Sequence, residues 1–192
     1  MRNKELQESA SQTAGPYVHI GLAPRAAGFD IYEREVGWDI AGPNAEGERI
    51  KVEGVVWDGN GEPVKDVLLE IWQANSAGHF ANNGGQVEPG FRGWGRVISD
   101  FDTGVWAFDT VKPGAVGAEA PHLHIWIVAR GINIGLHTRM YFPDEDNGAD
   151  PVLTMIGDDT LAATLIAKPQ GAGQYRFDIH LQGEDETVFF DV

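Results

Sequence analysis

Nine residues in the middle of the chain alternate without a break. Leu123, Ile125, Ile127 and Ala129 occupy one set of positions, and His122, His124, Trp126, Val128 and Arg130 the other. An extended backbone sends successive side chains to opposite faces. The first set therefore forms a wholly apolar face that belongs against a core, while the second turns two imidazoles, an indole and a guanidinium the other way. Residues 120–131 read as a strand buried on one side, with chemistry on the other. At about 3.3 Å per residue, Arg130 stands roughly 20 Å along the strand from His124, too far for both to serve one small-molecule site. Either two sites exist or one group is structural.

Short β-branched and aromatic runs recur on both sides of this stretch. Ile50 to Trp57 is one, stopped by the turn signal Asp58-Gly59-Asn60-Gly61. Val67 to Trp72, Gly95 to Ser99, Gly104 to Val111, His137 to Phe142 before Pro143, Gln174 to Leu181 and Thr187 to Asp191 are the others, and a loop rich in Gly and Asn fills residues 75–91. Convincing helical turns are expected only between Asp158 and Leu165, and residues 22–48 read as mostly irregular. The pattern predicts an all-β fold, a β-sandwich of roughly eight short strands with long loops and little helix. No repeat or linker divides the chain, so residues 1–192 are expected to form a single domain, with the polar residues 1–15 as an N-terminal arm that Gly15-Pro16 closes.

A chain of 192 residues, 42% of them hydrophobic, can bury roughly 70% of its unfolded surface in one core. Its formal charge of −15 repels phosphate backbones and anionic lipid surfaces, which argues against nucleic-acid and membrane partners. The acidity serves either solubility or a patch for a more basic partner chain. No apolar signal core follows Met1, no run approaches the ~18 residues of a membrane span, and the expected location is cytoplasmic. There is no cysteine, so a metal site would need His, Tyr or carboxylate ligands.

Three features carry chemistry. His122 and His124 share a strand face and can converge on one ion, or they can be hydrogen-bonded structural histidines. Arg130, between Ala129 and Gly131, can offer a planar fork to a carboxylate, or it can sit in a surface salt bridge. The six tryptophans are either a stacking platform for a ligand or core and interface residues. On these residues alone, a homomeric metal enzyme built on His122 and His124, with His180 or nearby carboxylates, stays open. So does a non-catalytic ligand-binding β-sandwich.

Longer motifs narrow the choice. Ser11-Gln12-Thr13-Ala14-Gly15-Pro16-Tyr17, Asp58-Gly59-Asn60-Gly61, Glu70-Ile71-Trp72-Gln73-Ala74-Asn75, Thr110-Val111-Lys112-Pro113-Gly114, Ala120-Pro121-His122-Leu123-His124 and Arg176 to Gly183 resemble the intradiol ring-cleaving dioxygenases. The resemblance covers nearly the whole chain. Ala129-Arg130-Gly131-Ile132-Asn133 and the ending Glu186 to Asp191 resemble the α-type chain of those members built from two kinds of chain. In the iron-bearing chains of the family, two tyrosines and two histidines hold Fe(III). His122 and His124 match the histidines, but Phe80 and Val116 stand where the tyrosines are expected, and Glu119 replaces an arginine that precedes the histidine pair.

The resemblance therefore implies that this chain holds no iron, that His122, His124, Phe80 and Val116 are vestigial positions, and that Fe(III) belongs to a partner β chain. It implies cleavage of protocatechuate by O2, between its hydroxyls, to 3-carboxy-cis,cis-muconate within an α/β hetero-oligomer. This chain alone would supply no catalytic group. It would complete the partner's substrate pocket with Arg130, Tyr17, Pro16, Gly15 and Thr13.

Overall fold

The computed structural model describes residues 12–81 and 86–191. Most of the expected arm, residues 1–11, lies outside them, as do residues 82–85 of the glycine- and asparagine-rich loop. Two sheets face each other. In the first, β1 (Arg49–Trp57) runs antiparallel to β4 (Val105–Val111) and parallel to β8 (Gln174–Arg176) and β9 (Ile179–His180), and β7 (Lys168–Gly171) flanks β8. The second is antiparallel throughout, in the order β3 (Trp94–Ile98), β2 (Leu68–Gln73), β5 (His122–Val128), β6 (Leu136–Tyr141).

The alternation is realised over residues 122–128, where the strand ends, so that Arg130 falls in the following turn. Leu123, Ile125, Ile127 and Ala129 are all buried and meet Val52, Val56, Trp106 and Phe108 of the opposite sheet. Full burial of the leucine and isoleucine side chains contributes about 1.5–3 kcal/mol each. Room for the Trp106 indole comes from Gly54, its cross-strand partner on β1: a Cβ there would stand 2.6 Å from Trp106 Cζ2 and would collide with the carbonyl of Phe177.

The strand reading needs four corrections. Gln174 to Leu181 is two strands, because opposite Gly54 the Asp178 carboxylate, instead of a backbone carbonyl, accepts the amide of Val55 at 2.9 Å. The run 187–191 forms no ladder among the described residues: Phe190 bridges to His137 of β6, and the Thr187 amide donates to the His180 carbonyl of β9 at 3.0 Å. β7 was not expected, since all four of its residues are exposed and leave no alternation to read. Helix is more extensive than residues 158–165: α1 (Pro16–Leu22) and α2 (Pro151–Ile156) each begin with a proline at a position where the missing amide is no loss, and Asp158 caps α3 (Asp159–Ala163).

A polar clamp ties the sheets together. Gln73, fully buried at the end of β2, donates from Nε2 to the Val111 carbonyl at 2.9 Å and accepts from the Thr110 hydroxyl at 2.6 Å, both on β4. Gln73→Leu keeps the volume but strands both β4 groups in the core. Each unsatisfied group costs about 1–3 kcal/mol, so urea denaturation of this variant is expected to show a lower midpoint at an unchanged m-value.

Candidate functional site

The outward face of β5 does not serve one site. His124 lies opposite Trp72 of β2 on one side and Arg139 of β6 on the other. With Trp94 and Trp126 it borders a cleft of about 860 Å³. Arg130 lies past the end of the strand, in a turn, and borders a separate cleft of about 1100 Å³. The two ends of the stretch are thus in different places, as the strand rise required.

At the histidine end every polar contact is internal. His122 Nδ1 is 2.7 Å from the Ala120 carbonyl, which can only accept, so Nδ1 carries the proton. The neutral ring then presents a bare Nε2, which accepts from His124 Nε2–H at 3.1 Å. Beside the pair, Arg139 Nη1 donates to Glu119 Oε2 at 2.7 Å and to the Tyr141 hydroxyl at 3.3 Å. Tyr141 donates to Asp150, which also accepts the Ala120 amide and caps α2. Glu119 is brought there by a tight turn in which it and Val116 exchange backbone hydrogen bonds at 3.0 Å.

Burial, with lesser contributions from His122, Arg139 and His137, pulls His124 down to about 3. Burial likewise lowers His122. Both imidazoles are neutral at physiological pH. Burial also pushes the Tyr141 phenol up to about 12, so it stays protonated.

These residues do not fit ferric iron. Phe80, at a position expected for a tyrosine, puts a phenyl ring 6.1 Å from the His124 ring, and Val116 has no donor atom. The tyrosine that is present, Tyr141, is held as a phenol, and a guanidinium already lies in the cluster. Among the described residues no group of three His, Asp or Glu side chains converges on a point where an ion could sit.

At the other end, several residues named from sequence come together. Thr13 Oγ1 accepts the Gly131 amide at 2.6 Å and lies 3.4 Å from the Ala129 carbonyl, tying the segment before α1 to the Arg130 turn. Gly15 is the N-cap of α1, and Pro16, its first residue, borders the same cleft as Arg130. Tyr17 does not border it and is 84% exposed. Within this chain Arg130 contacts Asp66 at 3.1 Å, its side chain still 72% exposed. Lys65, His19 and Phe101 also border the cleft and were not singled out from sequence. His19 was within reach of the motif, one helical turn after Pro16.

A family model described as Dioxygenase matches residues 33–183. The chain is 49% identical to the protocatechuate 3,4-dioxygenase alpha chain of Pseudomonas putida, with 97% of each chain covered. The chain belongs to the intradiol ring-cleaving dioxygenase family. A second alpha chain, from Burkholderia cepacia, is 42% identical over 97% of this chain and 98% of its own length. The beta chain of the B. cepacia enzyme is 36% identical over 73% of this chain and 67% of its own. Among solved structures, an intradiol ring-cleavage dioxygenase from Tetranychus urticae shares the fold, with a TM-score of 0.61 at 17% identity, covering 78% of this chain and 88% of that one. No helix among the described residues is long and apolar enough to cross a membrane.

In this dioxygenase the neutral histidine pair has a consequence for stability. The unfolded chain protonates His124 near pH 6.5, whereas the folded chain does so only near 3. Between those values the unfolded state binds more protons, so stability falls as pH drops from 6.5 towards 3. His124→Gln is expected to flatten the dependence between pH 6.5 and 5, above most carboxylate titrations, by up to about 1.4 kcal/mol per pH unit. Urea denaturation at a series of pH values reads that slope directly.

Proposed function

We propose that this chain is the α-type subunit of an iron(III)-dependent protocatechuate 3,4-dioxygenase, and that it completes the substrate pocket of an iron-bearing β chain. Near full-length identity to two alpha chains carries the reading. The poor fit of the histidine cluster to ferric iron supports the assignment of the metal to the partner. On this reading residues 1–192 act as one domain with residues 1–15 as an N-terminal arm, and the assembly is a cytoplasmic α/β hetero-oligomer. It converts protocatechuate and O2 to 3-carboxy-cis,cis-muconate.

The partner's ferric iron supplies Lewis acidity to the catechol oxygens and activation towards O2. The part played by this chain is binding. Arg130 offers a planar, permanently charged fork suited to a ring carboxylate, and Asp66, its acidic partner among the described residues, leaves its side chain largely exposed. Thr13 fixes the backbone of the turn that carries it. Pro16, the first residue of a helix capped by Gly15, walls the ring from the Arg130 cleft, and Tyr17, exposed beside it, covers the ring from outside that cleft. Asp66 holds the guanidinium until the substrate anion displaces it.

Co-expression with a β chain is expected to yield a stable complex that cleaves protocatechuate, with this chain alone inactive even when supplied with ferric iron. Losing one partner of a buried charge pair costs about 2–5 kcal/mol, so Arg130→Ala in the assembled enzyme is expected to lower kcat/KM at least tenfold. Turnover by the chain alone would overturn the subunit reading. An unchanged kcat/KM in the Arg130→Ala complex would remove Arg130 from the pocket.

A further inference from the structure

The histidine cluster fails to fit ferric iron, yet two pairs of its donor atoms, both through His122, stand at the spacing of a smaller donor set. His122 Nε2 is 3.1 Å from His124 Nε2 and 3.5 Å from Glu119 Oε2. Two ligands that bind one first-row ion at about 2.1 Å stand roughly 3.0–3.5 Å apart. Two imidazoles and one carboxylate form a recurrent set for divalent transition metals, distinct from a site that requires phenolates. The three atoms do not converge as they stand, because each has another partner. Glu119 is turned to Arg139 at 2.7 Å, and the two Nε2 atoms share one proton with each other.

Arg139 is the group that sets this arrangement. It is the cross-strand neighbour of His124, its side chain is only 16% exposed, and its guanidinium bonds Glu119 and Tyr141. Hydrogen bonds run from His122 through Ala120, Asp150, Tyr141 and Arg139 to Glu119, whose carboxylate stands 3.5 Å from the unprotonated His122 Nε2, so a positive charge sits near the carboxylate and both imidazoles. We propose that Arg139 is a resident cation that takes the place of a metal ion, and that it keeps a latent two-histidine, one-carboxylate site formed by His122, His124 and Glu119 closed to divalent metals. The residue acts on the cluster by charge and by occupying Glu119, and it does so whether or not a partner chain is bound.

Substitution at Arg139 separates the charge from the fold. Arg139→Met keeps most of the aliphatic stem and removes the charge, Arg139→Gln removes the charge and keeps a polar end, and Arg139→Lys keeps the charge. Cobalt(II) is the probe, added to the full-length chain without partner, with affinity read by calorimetry and ligation by the visible absorption of the ion. Arg139→Met and Arg139→Gln are expected to bind about one ion per chain, on the order of a hundredfold more tightly than the wild type once the like charge is gone. Arg139→Lys is expected to resemble the wild type. His124→Ala or Glu119→Gln in the Arg139→Met background should abolish the gain.

A folded Arg139→Met chain, verified by circular dichroism, whose cobalt affinity stays within about threefold of the wild type would overturn the proposal. So would a wild-type chain that binds one cobalt ion through His124 as tightly as the Arg139→Met chain. Should both uncharged variants unfold while Arg139→Lys folds, cobalt is expected to refold them as it takes the place of the lost cation. Failure to do so would overturn the proposal equally.

Discussion

Burying one face of β5 fixes nearly everything else about the molecule's chemistry. Leu123, Ile125 and Ile127 each have 1% exposure or less, and slipping a half-buried strand by one residue would exchange its two faces. The register is therefore locked, and with it the neighbours of the outward face. His124 must stand between Trp72 and Arg139, and Trp126 between Glu70 and His137. The chemistry of the histidine pair follows from that pairing more than from the two imidazoles themselves. A cation across the strand, a carboxylate on the preceding turn and a buried phenol two residues further along β6 make an internally satisfied cluster of what spacing alone presents as a ligand pair.

The sequence conveyed those parts of the fold whose signals are local. Alternation over 122–128 and the run 50–57 ended by Asp58-Gly59-Asn60-Gly61 appear where the pattern puts them. Strands whose neighbours are non-local were less legible. β7 is exposed along its whole length and has no hydrophobic period to detect. The division between β8 and β9 depends on Asp178 reaching the Val55 amide 123 positions away, which no local pattern announces. The helix starts were legible in principle, because Asp150-Pro151 combines a capping carboxylate with a first-position proline.

For the candidate sites the asymmetry was similar. Separation of Arg130 from His124 follows from strand rise alone, and the structure places them on two clefts. The roles of Arg139, Tyr141 and Asp150 were not visible, although alternation places His137, Arg139 and Tyr141 on one face of β6. Only the register of β6 against β5 shows that this face meets the histidines, and register is a tertiary property. Asp150 closes the acidic stretch 144–150, and nothing in the sequence shows that it turns inward. It is 1% exposed and joins α2 to the strand that carries the histidines.

The persistence of two buried histidines in a cluster unsuited to iron needs no catalytic explanation. Each occupies part of a closed network, and removing one partner from such a network leaves the other buried without a hydrogen bond, a cost of about 1–3 kcal/mol. Loss of His124 would deprive His122 Nε2 of its donor, and loss of His122 would leave the proton of His124 without its acceptor. Replacing Arg139 would be harsher, because an unpaired Glu119 would remain in a site that is largely out of water. Each single loss at this site thus leaves a buried partner unsatisfied. The same contacts that exclude a metal ion hold the histidines in place, so their presence in the sequence marks a satisfied polar network and is not by itself evidence of ligation.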